Sequence, residues 1–353
     1  MTSRFGFALV AVAAMLLACS AAEQTPPWEA ANPVQALPAS PLGIEESLAD
    51  LPEPPTPERV RLGRWLFYDK RLSSDSTIAC ASCHRPEHAF SEPTPVSTGI
   101  HGQKGGRKSP SFINQAWTLY PVFFWDGRAS SLEDQALGPV ENPIEMGNTH
   151  EAMISTLQGI KGYAPYFAQA FGTPEITKER VAKAIADYER TRMSGNSAWD
   201  RWRRNKDETA VSDLVKKGFD VFDNKGACSQ CHLGQNFTDS RFHNLGIGWS
   251  EATKSFADVG RFKVSNDSID LGAFKTPTVR DVSKHAPYMH DGSLATLMDV
   301  VEHYNKGGTP NPQLSPMIQP LNLTDEEKAA LVAFMEALDG EGYQDTAPAA
   351  FPE

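Results

Sequence analysis

The sequence predicts a mainly α-helical chain with little strand, built as two halves on one plan. Two observations carry this. The pentapeptide Cys80-Ala81-Ser82-Cys83-His84 returns as Cys228-Ser229-Gln230-Cys231-His232, and each copy follows a run of apolar residues at helical spacing. Leu62, Trp65 and Leu66 share one face ahead of the first copy; Val211, Leu214, Val215, Gly218 and Phe222 share one ahead of the second. At 353 residues the chain is long enough to give each half its own core.

The pentapeptide sets the chemistry. Two thiols separated by two residues can add across the two vinyl groups of one porphyrin, and the histidine that follows then meets the iron. Each copy reads as a covalent c-type haem site. A redox dithiol, a pair of short-loop disulfides and a split zinc site also use C-x-x-C, but none of them needs the histidine. The helix-then-haem repeat predicts two cytochrome c-like domains, residues 56–200 and 201–340, with one haem each.

The fifth cysteine belongs to a leader. Arg4 precedes an apolar run from Phe5 to Ala18, too short to span a bilayer, which ends in Leu16-Leu17-Ala18-Cys19. Residues 1–18 read as a bacterial lipoprotein signal, cleaved before Cys19, whose thiol and new amino group are then acylated. An ordinary cleaved signal is the alternative, and both export the chain. Residues 19–55, rich in Pro, Ala and Glu without helical period, are expected to be an extended tether. A net charge of −11 argues against nucleic acid and favours a soluble redox protein with a basic partner.

Thr56-Pro57-Glu58 starts the first helix. From His84 to about Gly106 the chain reads as a long loop, and long loops in compact domains tend to be functional. His88 and His101 lie in it, and His101 is weighed as a distal iron ligand against a plain solvated histidine. Val181, Ala184, Ile185 and Tyr188 predict a helix that Gly195 can end. Further on, Thr296 can cap a helix with Leu297, Val300, Val301 and Tyr304 on its apolar face. The last helix opens with a capping box, Thr324 and Glu327, and buries Leu331, Phe334, Met335 and Leu338. Residues 341–353 are expected to be a disordered tail.

One set of motifs goes further. The first C-x-x-C-H is followed by Phe124-Trp125-Asp126-Gly127-Arg128-Ala129, by Leu132 and Gln135-Ala136, and by Asn142-Pro143-Ile144-Glu145-Met146. The second is followed by Pro287-Tyr288-Met289-His290-Asp291-Gly292. This order resembles the bacterial di-haem cytochrome c peroxidase and MauG family over nearly all of the mature body. The resemblance implies that the haem on His84 is the peroxide site, with Glu145 as its acid-base group and Gln135 orienting peroxide or water. It also implies that Trp125 lies between the haems and relays electrons. The bland readings are a loop carboxylate, a surface amide and a core aromatic.

The sixth ligand of the second haem divides the family, methionine in the peroxidases and tyrosine in MauG. The matching position here is Tyr304, with Met289 as competitor. The family also carries an interdomain calcium ion, held by backbone carbonyls, for which His285 and Pro287 are the counterparts here, and by an asparagine. Lys108 stands at that asparagine's position, and an ammonium cannot ligate calcium.

The resemblance thus implies an exported, periplasmic enzyme with two haems. It would reduce hydrogen peroxide with electrons from a cytochrome c or cupredoxin, or oxidise aromatic residues of a partner protein as MauG does. A non-enzymatic di-haem electron carrier is the third reading. A homodimer is compatible with all three.

Overall fold

The computed structural model describes residues 25–118 and 120–353. The leader and Cys19 lie outside the described residues. The fold is mainly helical, with strand confined to two short antiparallel pairs, Phe242–Asn244 with Ala273–Lys275 and Trp249–Ser250 with Ser255–Phe256.

The first core forms around helix α1, Pro57–Tyr68. Thr56 Oγ1 accepts the Arg59 N–H at its start, and Pro57 sits where no helical N–H is needed. Leu62, Trp65 and Leu66 are fully buried. They pack with Val181, Ala184, Ile185 and Tyr188 of helix α2, Lys178–Arg190. That helix ends at Arg190, five residues before Gly195. Gly63 marks the crossing: a Cβ there would lie 1.8 Å from the Ala184 carbonyl oxygen. Only a residue without a side chain lets the two backbones meet.

The second core repeats the device. Helix α3, Asp213–Asp223, buries Gly218, Val221 and Phe222 against helix α5, Asp325–Glu336, while Leu214 stays exposed. A Cβ at Gly218 would lie 1.9 Å from the Ala330 carbonyl oxygen. The capping box at Thr324 is formed, its hydroxyl accepting the Glu327 N–H and Glu327 Oε2 accepting the Thr324 N–H at 2.7 Å. Helix α4, Leu297–Asn305, opens on the same device at Thr296 and Asp299. In both halves the glycine-crossed helix precedes the pentapeptide, closely in the second half and across residues 69–79 in the first.

Two expectations are corrected. The segment before Thr56 is no free tether from residue 25 onward. Trp28 Nε1 donates to Tyr166 Oη at 2.9 Å, Ile44 and Leu48 are buried, and the Glu45 N–H donates to Gln235 Oε1 at 2.8 Å. Arg280, fully buried in a bidentate pair with Asp200, also reaches the Gly43 carbonyl. Proline-rich extended backbone has unpaired carbonyls to offer, and this strap spends them on both halves.

Residues 341–353 are likewise packed rather than disordered. Tyr343 is buried in the first core, Asp345 takes a bidentate pair from Arg64 and the Tyr188 hydroxyl at 2.7 Å, and Trp65 Nε1 donates to Ala350 O. One buried ring and one well-placed carboxylate suffice, and neither has a period to betray it.

The glycine crossing is testable. Gly218→Ala gains about 1 kcal/mol of helix propensity but must push Ala330 away, so a net loss of about 1–3 kcal/mol is expected from the chemical-denaturation midpoint. An unchanged or higher midpoint would show that the crossing tolerates a side chain.

Candidate functional site

Each pentapeptide makes a single tight turn. The His84 N–H donates to Cys80 O and the His232 N–H to Cys228 O, both at 2.9 Å, so two thiols and an imidazole converge on one side. His84 Nδ1 lies 2.9 Å from Phe90 O and His232 Nδ1 3.1 Å from Phe237 O. With that N–H donated to a carbonyl, Nε2 carries the lone pair, the arrangement a metal-binding histidine needs. Burial pushes both imidazoles below their ordinary range, hence neutral.

The thiols argue against a redox dithiol. Burial raises Cys80 and Cys228 to about 12 and Cys83 to about 11, the reverse of an activated thiolate.

Each turn opens on its own cavity. The first, of about 980 Å³, is lined by Cys80, Cys83 and His84 and also by Gln135, Glu145 and Trp125. The second is lined by Cys228, Cys231 and His232 together with Met289, Tyr304 and again Trp125. Paired thiols, a neutral imidazole and a large, mostly apolar hollow suit a covalently held porphyrin in the first; the second has the same donor set and an apolar lining but a smaller volume, about 240 Å³. The wall between the cavities is built from Lys108–Ser111, Trp125 and Lys275–Thr278, which line both. Trp125 is fixed in it: its Nε1 donates to Lys108 O and its carbonyl accepts the Lys275 N–H, both at 2.8 Å.

One helix and its exit turn place the polar pair of the first cavity. Gln135 lies in the helix Leu132–Glu141, and the chain turns at Asn142, whose carbonyl accepts the Glu145 N–H at 3.0 Å. Asn142 Nδ2 holds Glu145 Oε1 at 2.6 Å. Burial raises the Glu145 carboxyl above its ordinary range, opposed by Arg128 and by the Asn142 bond. The long loop closes over this turn, with the Ile100 N–H donating to Glu145 O at 2.9 Å. At Gly99 a Cβ would meet the Ile144 carbonyl at 2.0 Å.

His101 is not part of the site. Its side chain is 67% exposed, its Nδ1 is 3.6 Å from Asp75 Oδ2, and it is absent from the wall of either cavity. The neighbouring Ile100 fills the inward position, and a left-handed φ of 54° turns His101 outward. Tyr304 and Met289 both reach the second cavity, and burial raises the Tyr304 hydroxyl.

Two groups escaped the sequence reading. Lys275 donates to Val122 O at 3.1 Å in the dividing wall, and burial lowers it to about 8. Glu189, 4% exposed, lines the first cavity with Oε2 unpartnered; burial raises it to about 8, with Arg190 opposing. A signal for Glu189 existed, since it continues the buried stripe Ala182, Ile185, Ala186 at helical spacing.

Residues 57–208 match the family model described as di-haem cytochrome c peroxidase. The chain is 40% identical over 298 residues to the methylamine utilization protein MauG of Methylorubrum extorquens, covering 84% of this chain and 82% of that one. It is 34% identical over 290 residues to the cytochrome c551 peroxidase of Nitrosomonas europaea, covering 82% of each. Among solved structures it resembles a MauG-like protein associated with microbial copper homeostasis, with a TM-score of 0.76 and 29% identity over 91% of this chain and 97% of that one.

The Asn142 contact yields a prediction free of any mechanism. Asn142→Ala removes the bond that lowers Glu145, so the carboxyl should titrate at still higher pH, read from its protonated C=O stretch in infrared difference spectra. A shift to lower pH would overturn the assignment of that bond.

Proposed function

The chain belongs to the di-haem cytochrome c peroxidase and MauG family, and from that premise we propose that it is an exported peroxidase that cleaves hydrogen peroxide in the cavity on His84. Its fold class and its standing as a peroxide-using oxidoreductase follow from the family. The observation that carries the finer reading is that one indole, Trp125, lines both cavities while Glu145 and Gln135 line only the first. Two cytochrome c-like domains would hold one haem each, through Cys80, Cys83 and His84 and through Cys228, Cys231 and His232.

Bound haem supplies the electron chemistry; the chain supplies the rest. Peroxide cleavage needs a proton taken from one oxygen and given to the other, which then leaves as water. With Oε1 held by Asn142, Glu145 Oε2 is the oxygen that carries this proton. Gln135 orients the peroxide by its amide. Trp125, clamped at both its N–H and its carbonyl, offers an oxidisable ring in the wall between the sites. Tyr304 would bind the iron of a haem in the second cavity in preference to Met289, because the position matches that of the MauG branch and an anionic phenolate suits higher oxidation states.

Electrons would come from a cytochrome c or cupredoxin. Oxidation of aromatic residues on a partner protein is the second reading, favoured by Tyr304 and by the 40% identity to MauG. Turnover of peroxide with a reduced small redox protein, set against a mass change in a co-expressed partner, separates the two. No turnover at all would leave a simple electron carrier. A lipoprotein signal at residues 1–18 would send the protein to the periplasm and leave it held at a membrane by acylated Cys19; an ordinary cleaved signal would export it unanchored.

Glu145→Gln should retain both haems and slow peroxide cleavage by about a hundredfold or more. Its pH profile is diagnostic. The base form of Glu145 exists above its pKa, which burial raises, so the wild-type rate should fall as pH drops through a value above the ordinary carboxylate range. That limb should vanish in Glu145→Gln; unchanged turnover would assign Glu145 to structure.

Tyr304→Met should convert the second site to His/Met ligation and make its haem easier to reduce, since an anionic ligand favours the ferric state. Met289→Leu should leave the absorption spectrum alone. Loss of a sulfur-to-iron band in Met289→Leu, with no change in Tyr304→Met, would make Met289 the ligand.

A further inference from the structure

We propose that Lys108 is this protein's own interdomain cation: its buried ammonium takes the place of the family's calcium ion, and the junction between the two cavities needs no divalent metal. Lys108 is 4% exposed and sits in the wall shared by both cavities. Each of its polar groups ties a different part of the molecule. Its N–H donates to His290 O at 2.8 Å in the second half, its carbonyl holds the Trp125 indole at 2.8 Å, and its Nζ donates to Glu92 O in the long loop of the first half.

The surroundings are built for one positive charge already in place. The Glu92 carboxylate is 3% exposed and is held by the Ser109 N–H at 2.6 Å, the Thr94 hydroxyl at 2.9 Å and the Ser97 hydroxyl at 2.5 Å. The Lys108 Nζ acts as a donor to the Glu92 carbonyl, and the carboxylate of the same residue supplies the opposing charge. His285 is held neutral, at about 3, by burial and then by the Lys108 charge, and its Nε2 has no partner.

Calcium asks for six to eight oxygens, commonly with carboxylates among them. Here the position that would contribute a side-chain oxygen contributes a donor instead. The carbonyls of His285 and Pro287 remain, yet a divalent ion beside them would face an ammonium and a neutral imidazole. The residues do not fit calcium. They fit a lysine that joins the loop of residues 84–106, the Trp125 wall and the Pro287–Gly292 turn by hydrogen bonds, acting as a positioning residue for the indole.

The test uses the haem-loaded protein and needs no peroxide turnover, so it stands or falls apart from the reaction proposed above. After gel filtration, elemental analysis should find two irons per chain and no stoichiometric calcium. EGTA should leave the spin-state signals of both haems in electron paramagnetic resonance and both midpoint potentials unchanged. Lys108→Asn restores the missing side-chain oxygen and removes the ammonium. That variant should bind one calcium per chain by titration calorimetry, and its spin-state signals should become sensitive to EGTA and recover when calcium is returned. One calcium retained per chain in the wild type, or an EGTA-induced change in its spectra, would overturn the proposal. So would a folded Lys108→Asn variant that ignores calcium. Should that variant fail to fold, the wild-type metal content and EGTA response still decide.

Discussion

Everything in this molecule hangs on two places where a helix backbone touches a carbonyl of its neighbour. At Gly63 against Ala184 and at Gly218 against Ala330, the missing side chain lets the helices cross at a distance no other residue permits. The crossing fixes the direction in which each first helix points; the second leads closely into its C-x-x-C-H turn, the first through residues 69–79. In the second half, thiol and imidazole placement is therefore inherited from a helix contact. The rest of each half, its loops and caps, is arranged around a turn whose position is already decided.

What lies between the halves is of a different character. The cores are apolar, but the dividing wall is short, partly polar and made of backbone as much as side chain. Its one large ring, Trp125, is held by main-chain partners on both sides, from Lys108 and Lys275. Both lysines carry buried nitrogens satisfied by carbonyls.

Much of this was legible in advance, and the reasons for success and failure are physical. Helix starts were readable because Thr56, Thr296 and Thr324 satisfy local backbone donors, a contact between residues three apart. The pentapeptides were readable because their chemistry is local too. The strap before Thr56 and the segment after Gly340 were misread because their stabilising contacts are distant. Asp345 meets Arg64, and Gly43 meets Arg280, across most of the chain. His101 stayed open between ligand and solvated histidine because spacing cannot say which of two adjacent loop residues turns inward; the positive φ at His101 turns it outward and leaves Ile100 buried. Glu189 was overlooked because a carboxylate on an apolar stripe reads as solvent-facing unless the stripe is followed to its end.

The course of the segment after Gly340 bears on how the protein is made. Tyr343, Asp345 and Ala350 complete the core around Trp65 and Tyr188, residues that emerge far earlier during synthesis and export. The interior of the first half is therefore closed only once a segment some 280 residues further along the chain has docked on it.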